Sequence, residues 1–204
     1  MAGDQSEGGA LAGLAAEFEA LRLVDEAHAT GVLGPGGAGL CWGHPVDLVM
    51  GTLGKACGAF GAYAACDVLL AEYLVNCCSG LVYSTGLPPA VLGAVDAALE
   101  LIPRMDAERA ELQAKADFLR RALRDQGWDT AASTTQIVPL VVGDSLKASA
   151  LAGWLEARGV LAVAIRPPTV PVGQARLRLA LSALHSRGQL EWLVELLGNW
   201  RVQH

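Results

Sequence analysis

Short apolar runs that end beside a charged residue alternate with helical segments in the first half of the chain. The run from Leu21 to Val24 ends at Asp25, and the runs VDLVMGT and GAYAAC enclose a turn that holds Lys55. Apolar runs of this length, bounded by turn residues, are typical of buried strands. Because helical patterns occupy roughly 10–20, 67–77 and 88–100, the first half predicts an α/β fold with a mostly parallel sheet.

The second half has a different pattern, which begins after Pro103 interrupts the helical periodicity. A long, charged, amphipathic stretch from about Asp106 to Gln126 predicts a helix. Beyond it the sequence predicts a smaller α+β domain, and we place the domains at 1–102 and 103–204. Its predicted elements are the strands QIVPLVV, VLAVAIR and ARLRLAL and the helices at about 145–158 and 187–199.

Composition excludes several classes of protein. Hydrophobic residues make up 52% and charged residues 18%, which is typical of a globular chain rather than a disordered one. A net charge of −6 without a basic stripe argues against nucleic-acid binding, and no apolar run is long enough for a membrane helix. The start MAGDQSEGG does not resemble a secretory signal. Five cysteines without a CxxC pair predict small buried thiols, no metal site and a cytoplasmic location.

The motif LVDEAHATG places Asp25 at the end of an apolar strand, where open α/β sheets bind ligands. The letters DEAH also occur in the Walker-B box of helicase-type NTPases. That alternative requires an upstream phosphate-binding loop of the form GxxxxGK followed by Ser or Thr. The only Gly-Lys pair is Gly54-Lys55; it lies downstream, Val49 replaces the first glycine, and Ala56 follows. The NTPase interpretation is therefore excluded.

The motif GTLGKACGAFG places Lys55 between two strands, among glycines and apolar residues. An amine held in apolar surroundings is a good nucleophile toward an aldehyde, and Thr52 offers a hydroxyl three residues earlier. A lysine whose charge reaches solvent from a strand end is the alternative for this segment alone. A pyridoxal cofactor requires a lysine and a carboxylate for its ring nitrogen, and Lys55 and Asp25 supply both. His28 either binds the cofactor's phenolic oxygen or is structural.

The segment AIRPPTVPVGQARLRLAL contains three arginines near a proline-rich turn, namely Arg166, Arg176 and Arg178. Arginine is the natural bidentate partner of a substrate carboxylate. Because Arg176 and Arg178 are two residues apart on a predicted strand, they share one face. The alternative is that they are surface arginines on an edge strand.

Four segments, VDEAHATG, GTLGKA, LVYSTGLPPA and AIRPPTVPVGQARLRLALSALH, resemble the α-oxoamine synthases in order and spacing. The resemblance implies the aspartate aminotransferase-like fold of the PLP-dependent transferases and pyridoxal 5'-phosphate as cofactor. It implies that Lys55 is the catalytic Schiff-base lysine and the acid/base at the amino acid's α-carbon. Asp25 resembles the partner of the pyridine nitrogen, His28 that of the ring oxygen, and Thr52 a phosphate ligand.

Further roles follow from the same resemblance. Ser84 and Thr85 match a pair that contacts the phosphate in the neighbouring subunit, which implies a homodimer with its active site at the subunit interface. Arg178 matches the arginine that binds the amino-acid carboxylate, and Thr169 matches a substrate contact. The segments YSTGLPPA and IRPPTVP favour the branch that joins L-alanine to a pimeloyl thioester, with loss of carbon dioxide, in biotin biosynthesis.

The resemblance leaves two alternatives open. One is a glycine C-acetyltransferase of the 2-amino-3-ketobutyrate coenzyme A ligase type, and the other is a catalytically inactive fragment of the family. Family members are longer, and we expect this chain to be the C-terminal half, preceded by a glycine-rich cofactor loop and a ring-stacking residue. Expressed alone, residues 1–204 are therefore expected to lack synthase activity and to self-associate.

Overall fold

The computed structural model describes residues 2–203. The chain divides into two compact units between Arg109 and Ala110. The N-terminal unit comprises Ser6–Arg109, and the C-terminal unit runs from Ala110 onward and includes the residues up to Gln5. The division lies a few residues beyond the predicted boundary, inside one helix. The assignment of 1–102 and 103–204 to a large and a small domain remains a prediction.

The N-terminal unit is built around a three-stranded sheet in the order β1-β2-β3. The strands are β1 (Leu23–Asp25), β2 (Leu48–Thr52) and β3 (Ala62–Cys66). β1 and β2 are parallel, as predicted, but β2 and β3 are antiparallel. The difference has a simple cause, because only a short turn connects β2 to β3 and a parallel pairing needs a crossover of about a dozen residues or more.

Helices precede and follow the three strands along the chain, as the sequence predicts. They are α1 (Gly8–Glu17), α2 (Val68–Cys77), the short α3 (Ser79–Val82) and α4 (Pro89–Leu101). Asp67 caps α2, because its carboxylate accepts the Leu70 N–H at 2.7 Å. α4 begins at Pro89, where the missing N–H of proline has no intrahelical partner to lose.

The apolar strands of this unit, which the sequence predicts to be buried, are mostly exposed or half-buried in this chain, and so are its helices. β1 and β3 contain only exposed and half-buried residues, and within the described chain no residue of α1, α2 or α4 is buried. Leu69 and Tyr83 are 78% and 88% exposed. The buried core is small, Leu53, Cys57 and Ile102, with Tyr63 and Val95 among the residues packed against it. So large an exposed apolar surface is typical of an interaction surface.

We predict from this surface that the 204-residue chain self-associates. Exposed apolar side chains on α2, such as Leu69 and Val75, should drive the association because burying them removes apolar area from water. Sedimentation velocity should show species larger than a monomer, and Leu69→Glu should shift the distribution toward the monomer. Leu146→Glu is the matched control, since Leu146 is 81% exposed on the C-terminal unit. A chain that stays monomeric at every concentration contradicts this prediction.

The C-terminal unit is the α+β arrangement that the sequence predicts. It contains most of α5 (Asp106–Asp125), then β4 (Ile137–Gly143), α6 (Ser145–Glu156), β5 (Val163–Ile165), β6 (Ala175–Ala180) and α7 (Arg187–Gln203). Its sheet is antiparallel, with the order β4-β6-β5. β6 is therefore the central strand, and the alternative that placed Arg176 and Arg178 on an edge strand is wrong.

The core of this unit follows from the periodicity of its helices. In α5, Leu112, Ala116, Leu119 and Leu123 are buried at steps of three and four residues, so they form one apolar stripe. α7 repeats the pattern with buried residues that include Leu190 and Leu197. Strands β4 and β6 add fully buried side chains to the same core, among them Val138, Leu140 and Leu177. No helix among residues 2–203 is both long enough and apolar enough to cross a membrane.

Candidate functional site

Asp25 ends β1 and begins a tight turn that two hydrogen bonds hold in place. The Glu26 N–H donates to Met50 O at 2.7 Å, which continues the β1–β2 ladder by one residue. The Ala27 N–H donates to Asp25 Oδ1 at 2.8 Å. Ala27 and Ala29 are buried, so the intervening His28 is on the exposed side of the turn. Asp25 is also exposed. The turn therefore presents both predicted side chains outward.

Lys55 lies in the turn between β2 and β3, and its ammonium is positioned by Thr52. Lys55 Nζ donates a hydrogen bond to Thr52 Oγ1 at 2.7 Å. Leu53 and Cys57 are buried on either side of it, and burial raises the pKa of the Cys57 thiol. Because these two neighbours point into the core, Lys55 points outward and is exposed. The apolar surroundings that the sequence predicts for Lys55 are not present, since the apolar residues of the turn pack inward.

The topology places Asp25 and Lys55 at one edge of the sheet. β1 and β2 are parallel neighbours in which Asp25 pairs with Met50, and Thr52 ends β2 two residues later. Both strands therefore end at the same edge, where ligands of open α/β sheets bind. The edge carries an amine, a carboxylate and a hydroxyl. Thr52 Oγ1 accepts from Lys55, so its own proton remains available for an anion.

Ser84 and Thr85 lie in the loop between α3 and α4. Ser84 Oγ donates to Leu81 O at 2.9 Å, which closes the last turn of α3. Both residues are exposed. Their role toward a second subunit stays a prediction.

Thr169 and Arg178 belong to the C-terminal unit. Thr169 lines a cleft of about 320 Å³ together with Arg166, Pro167 and Ser145, and its N–H donates to Arg166 O at 3.0 Å. Arg178 is half-buried on the central strand β6, between Pro139 of β4 and Val163 of β5. On the same face of β6, the Arg176 side chain is held by Gln174. Their roles as substrate ligands stay predictions.

One residue of the first motif was not singled out from the sequence. Glu26 is only 2% exposed, and its Oε1 accepts the Cys41 N–H at 2.6 Å. Its carboxylate packs against Gly39, where an added Cβ would lie 3.0 Å from it. Glu26 thereby attaches the glycine-rich loop to the Asp25 turn. The available signal was the density of glycines from Gly31 to Gly39, which allows the backbone to approach a side chain closely.

The environment of Glu26 makes a prediction for cysteine reactivity. Burial, and then the Glu26 carboxylate, raise the pKa of the Cys41 thiol to about 12. Since the thiolate is the reactive form, Cys41 should resist alkylation at pH 8 while exposed Cys77 and Cys78 react. Glu26→Gln removes the negative charge and should accelerate Cys41 labelling in peptide mapping, whereas the exposed control Glu17→Gln should not. Equal rates for Cys41 and Cys77 in the unmodified protein would contradict the assignment.

The chemistry of the edge fits an aldehyde cofactor better than a metal. An exposed amine can bond to an aldehyde, and an exposed carboxylate can hold a proton on a heteroaromatic nitrogen. Among residues 2–203, no group of three or more His, Cys, Asp or Glu side chains is arranged to hold a metal ion.

All five cysteines are free thiols. The prediction that they are small buried thiols holds for Cys57 but fails for Cys77 and Cys78, which are exposed.

Comparison with known proteins supports the PLP-dependent transferase fold that the sequence predicts. Residues 5–197 match the family model described as aminotransferase class I and II. The chain is 56% identical over 98% of its length to the putative 8-amino-7-oxononanoate synthase of Desulfosudis oleivorans. It is 50% identical over 100% of its length to the 8-amino-7-oxononanoate synthase of Gluconacetobacter diazotrophicus. It covers 52% of each of these proteins, so the chain spans about half the length of the curated relatives it matches.

Solved structures confirm the PLP-dependent transferase fold. Serine palmitoyltransferase of Sphingomonas wittichii superposes with a TM-score of 0.90 at 29% identity, over 98% of this chain and 51% of that one. A structure described as SPT with PLP internal aldimine gives a TM-score of 0.90 at 26% identity, over 98% of this chain and 52% of the other. These are similarities of fold, and the identities leave the substrate open.

Proposed function

The chain belongs to the aminotransferase class I and II family, and from that premise we propose that it carries the cofactor-anchoring residues of a PLP-dependent α-oxoamine synthase. The proposed reaction joins L-alanine to a pimeloyl thioester and forms 8-amino-7-oxononanoate, a step of biotin biosynthesis. A carbon–carbon bond forms at the alanine α-carbon, the carboxylate leaves as carbon dioxide, and the carrier leaves as a free thiol. The chain would correspond to the C-terminal half of the enzyme.

The observation that supports this proposal most strongly is the shared edge of β1 and β2, which carries Asp25 and the Thr52–Lys55 pair. When bound, pyridoxal phosphate supplies an electron sink for the negative charge that develops at the substrate's α-carbon. Lys55 would hold the cofactor through its Nζ and then move the proton at that carbon. Asp25 would keep the ring nitrogen protonated, His28 would contact the ring oxygen, and Thr52 would donate its hydroxyl proton to the phosphate.

The remaining residues are assigned by resemblance. Ser84 and Thr85 would contact the phosphate bound in a partner subunit, which makes the proposed enzyme a homodimer with its active site at the subunit interface. Arg178 would bind the carboxylate of L-alanine, for which the bidentate geometry of a guanidinium is suited. Thr169 would contact substrate beside the proline-rich turn. The names of the relatives support the alanine-using branch.

A direct test uses a chimera in which this chain follows the N-terminal half of the Gluconacetobacter relative. The chimera and the chain alone are each supplied with L-alanine, glycine or L-serine and with pimeloyl, acetyl or palmitoyl thioester. We expect the chimera to release thiol and carbon dioxide fastest with L-alanine and the pimeloyl thioester, and the chain alone to be inactive. A preference for glycine with the acetyl thioester supports the acetyltransferase alternative, and no turnover in the chimera supports the inactive-fragment alternative.

L-Serine with the palmitoyl thioester is included because serine palmitoyltransferase superposes so well. A preference for that pair would retain the family and the cofactor roles but replace the proposed substrates. CoA and carrier-protein forms of the pimeloyl thioester should be compared in the same assay.

A further inference from the structure

Thr30, which closes the turn that begins at Asp25, has two hydrogen-bond partners for one hydroxyl group. Thr30 Oγ1 lies 3.0 Å from Glu26 O and 2.7 Å from the hydroxyl oxygen of Tyr63. A carbonyl oxygen can only accept, so the Thr30 proton is directed to Glu26 O. Both contacts are satisfied together when the Tyr63 hydroxyl donates to Thr30 Oγ1. The phenol therefore binds a side chain of the Asp25 turn directly.

Tyr63 reaches this turn by crossing a neighbouring strand. It lies on β3 opposite Gly51 of β2, whereas Thr30 follows β1, on the far side of β2. The Tyr63 ring lies against the bare backbone of Gly51: a Cβ added there would be 2.5 Å from three atoms of the phenol. A glycine inside a strand commonly marks such a close approach. Gly51 thus provides the space through which β3 contacts the turn after β1.

The two contacts connect the halves of the candidate site. Gly51 immediately precedes Thr52, whose hydroxyl positions Lys55, and Thr30 ends the turn that carries Asp25 and His28. The hydrogen bond is partly buried, which shields it from competition with water. A single phenol therefore contacts both the strand that leads to Lys55 and the turn that follows Asp25.

We propose that Tyr63 and Thr30 are positioning residues, which fix the Asp25 turn relative to Lys55 through the Tyr63–Thr30 hydrogen bond across Gly51. Neither is a catalytic residue, since both act through the Asp25 turn. The expected effect of this hydrogen bond on a bound cofactor rests on the proposed function. Its expected effect on the rigidity of the Asp25 turn does not. Loss of either hydroxyl should loosen the turn without removing a group that reacts.

The test compares Tyr63→Phe and Thr30→Val, which remove one hydroxyl each with little change of shape, with Thr30→Ser, which retains the hydroxyl. Tyr73→Phe is the matched control, because Tyr73 is 62% exposed on α2. The first measurement is amide hydrogen exchange of Ala29 and Thr30 in the full 204-residue chain, since both N–H groups bond to Glu26 O. Exchange should become about fivefold faster in Tyr63→Phe and Thr30→Val, the loss expected for one net hydrogen bond. Thr30→Ser and Tyr73→Phe should match the unmodified chain.

The second measurement is the absorbance of pyridoxal phosphate bound to the chimera as a function of pH, which a purely structural role would not change. A loosened Asp25 holds the ring proton less firmly, so less charge is withdrawn from the lysine nitrogen. The midpoint of the absorbance change should move to higher pH in Tyr63→Phe and Thr30→Val and return in Thr30→Ser.

The outcomes separate this inference from the proposed function. If the unmodified chimera takes up no cofactor, the proposed cofactor role fails, and hydrogen exchange alone decides whether the link holds the turn. If cofactor binds but no variant changes either measurement, the inference is wrong and the proposed function stands. Faster exchange with an unchanged pH midpoint overturns the positioning role and leaves only a structural contact.

Discussion

Replacing Lys55 by alanine is expected to abolish turnover of L-alanine and pimeloyl thioester by the chimera. The rate should fall at least about 10³-fold, or about 4 kcal/mol of transition-state stabilisation. Lys55 is the proposed cofactor anchor and also the proposed acid/base, so alanine removes both contributions. Because Lys55 is exposed and its described side-chain hydrogen bond is to Thr52, the substitution should leave the free energy of unfolding nearly unchanged.

The other two lysines provide matched controls for this substitution. Lys115 is held on α5 by Glu111 at 2.7 Å and by Ala183 O at 2.6 Å, and Lys147 is exposed on α6. Lys115→Ala and Lys147→Ala should retain turnover within a few-fold. Steady-state kinetics and chemical denaturation measure the two effects separately. A Lys55→Ala chimera that turns over at a rate comparable to these controls contradicts the role of Lys55.

Asp25→Asn is expected to lower turnover at least about 100-fold, or about 2.7 kcal/mol, while some cofactor is retained. A neutral amide cannot keep the ring nitrogen protonated, so the bound cofactor becomes a poorer electron sink. The turn itself should persist, because the asparagine carbonyl oxygen can still accept the Ala27 N–H that Asp25 Oδ1 accepts.

Asp96→Asn is the control for this second substitution, since Asp96 is exposed on α4. Cofactor content should be measured by absorbance beside kcat, so that loss of binding is distinguished from loss of rate. An Asp25→Asn chimera within about threefold of the unmodified rate, a difference of roughly 0.7 kcal/mol, would exclude the proposed role of the carboxylate.

The sequence predicts the order of elements well because that order follows from local periodicity. The charged amphipathic stretch is α5 at Asp106–Asp125, and each predicted strand of the second half forms. The direction of β3 was not predicted. A short apolar run identifies a strand but not its neighbour, and only the length of the Leu53–Gly61 connection indicated an antiparallel pair.

Local patterning indicates which surfaces are apolar more reliably than whether they are buried. The apolar residues of β1 indicated a strand covered on both faces. Within the described chain Leu23 is 67% exposed and no residue of α2 is buried, and from this exposed apolar surface we expect self-association. Apolar residues indicate that burial of a surface is favourable, but they do not indicate which element or partner buries it. The same limit applies to Arg178, whose position on the central strand depends on the long-range pairing of β6 with β4 and β5.

The sequence predicts the reactive residues of the candidate site but not the residues that hold them in position. Asp25 and Lys55 stand out because charged residues at the ends of apolar strands are unusual. Glu26 and Tyr63 act through contacts between residues far apart in sequence, such as Tyr63 with Thr30. The isolated Gly51 was the one local signal of that contact, since glycine inside a strand indicates the close approach of another group.

Reductive trapping of the cofactor decides whether Lys55 is the residue that holds it. The chimera is incubated with pyridoxal phosphate, reduced with borohydride, digested and mapped by mass spectrometry. We expect the cofactor to be attached to the peptide containing Lys55, Asp25→Asn to lower the extent of attachment, and Lys55→Ala to abolish it. Attachment to Lys115 or Lys147 in place of Lys55, or no attachment at saturating cofactor, would refute the role of Lys55.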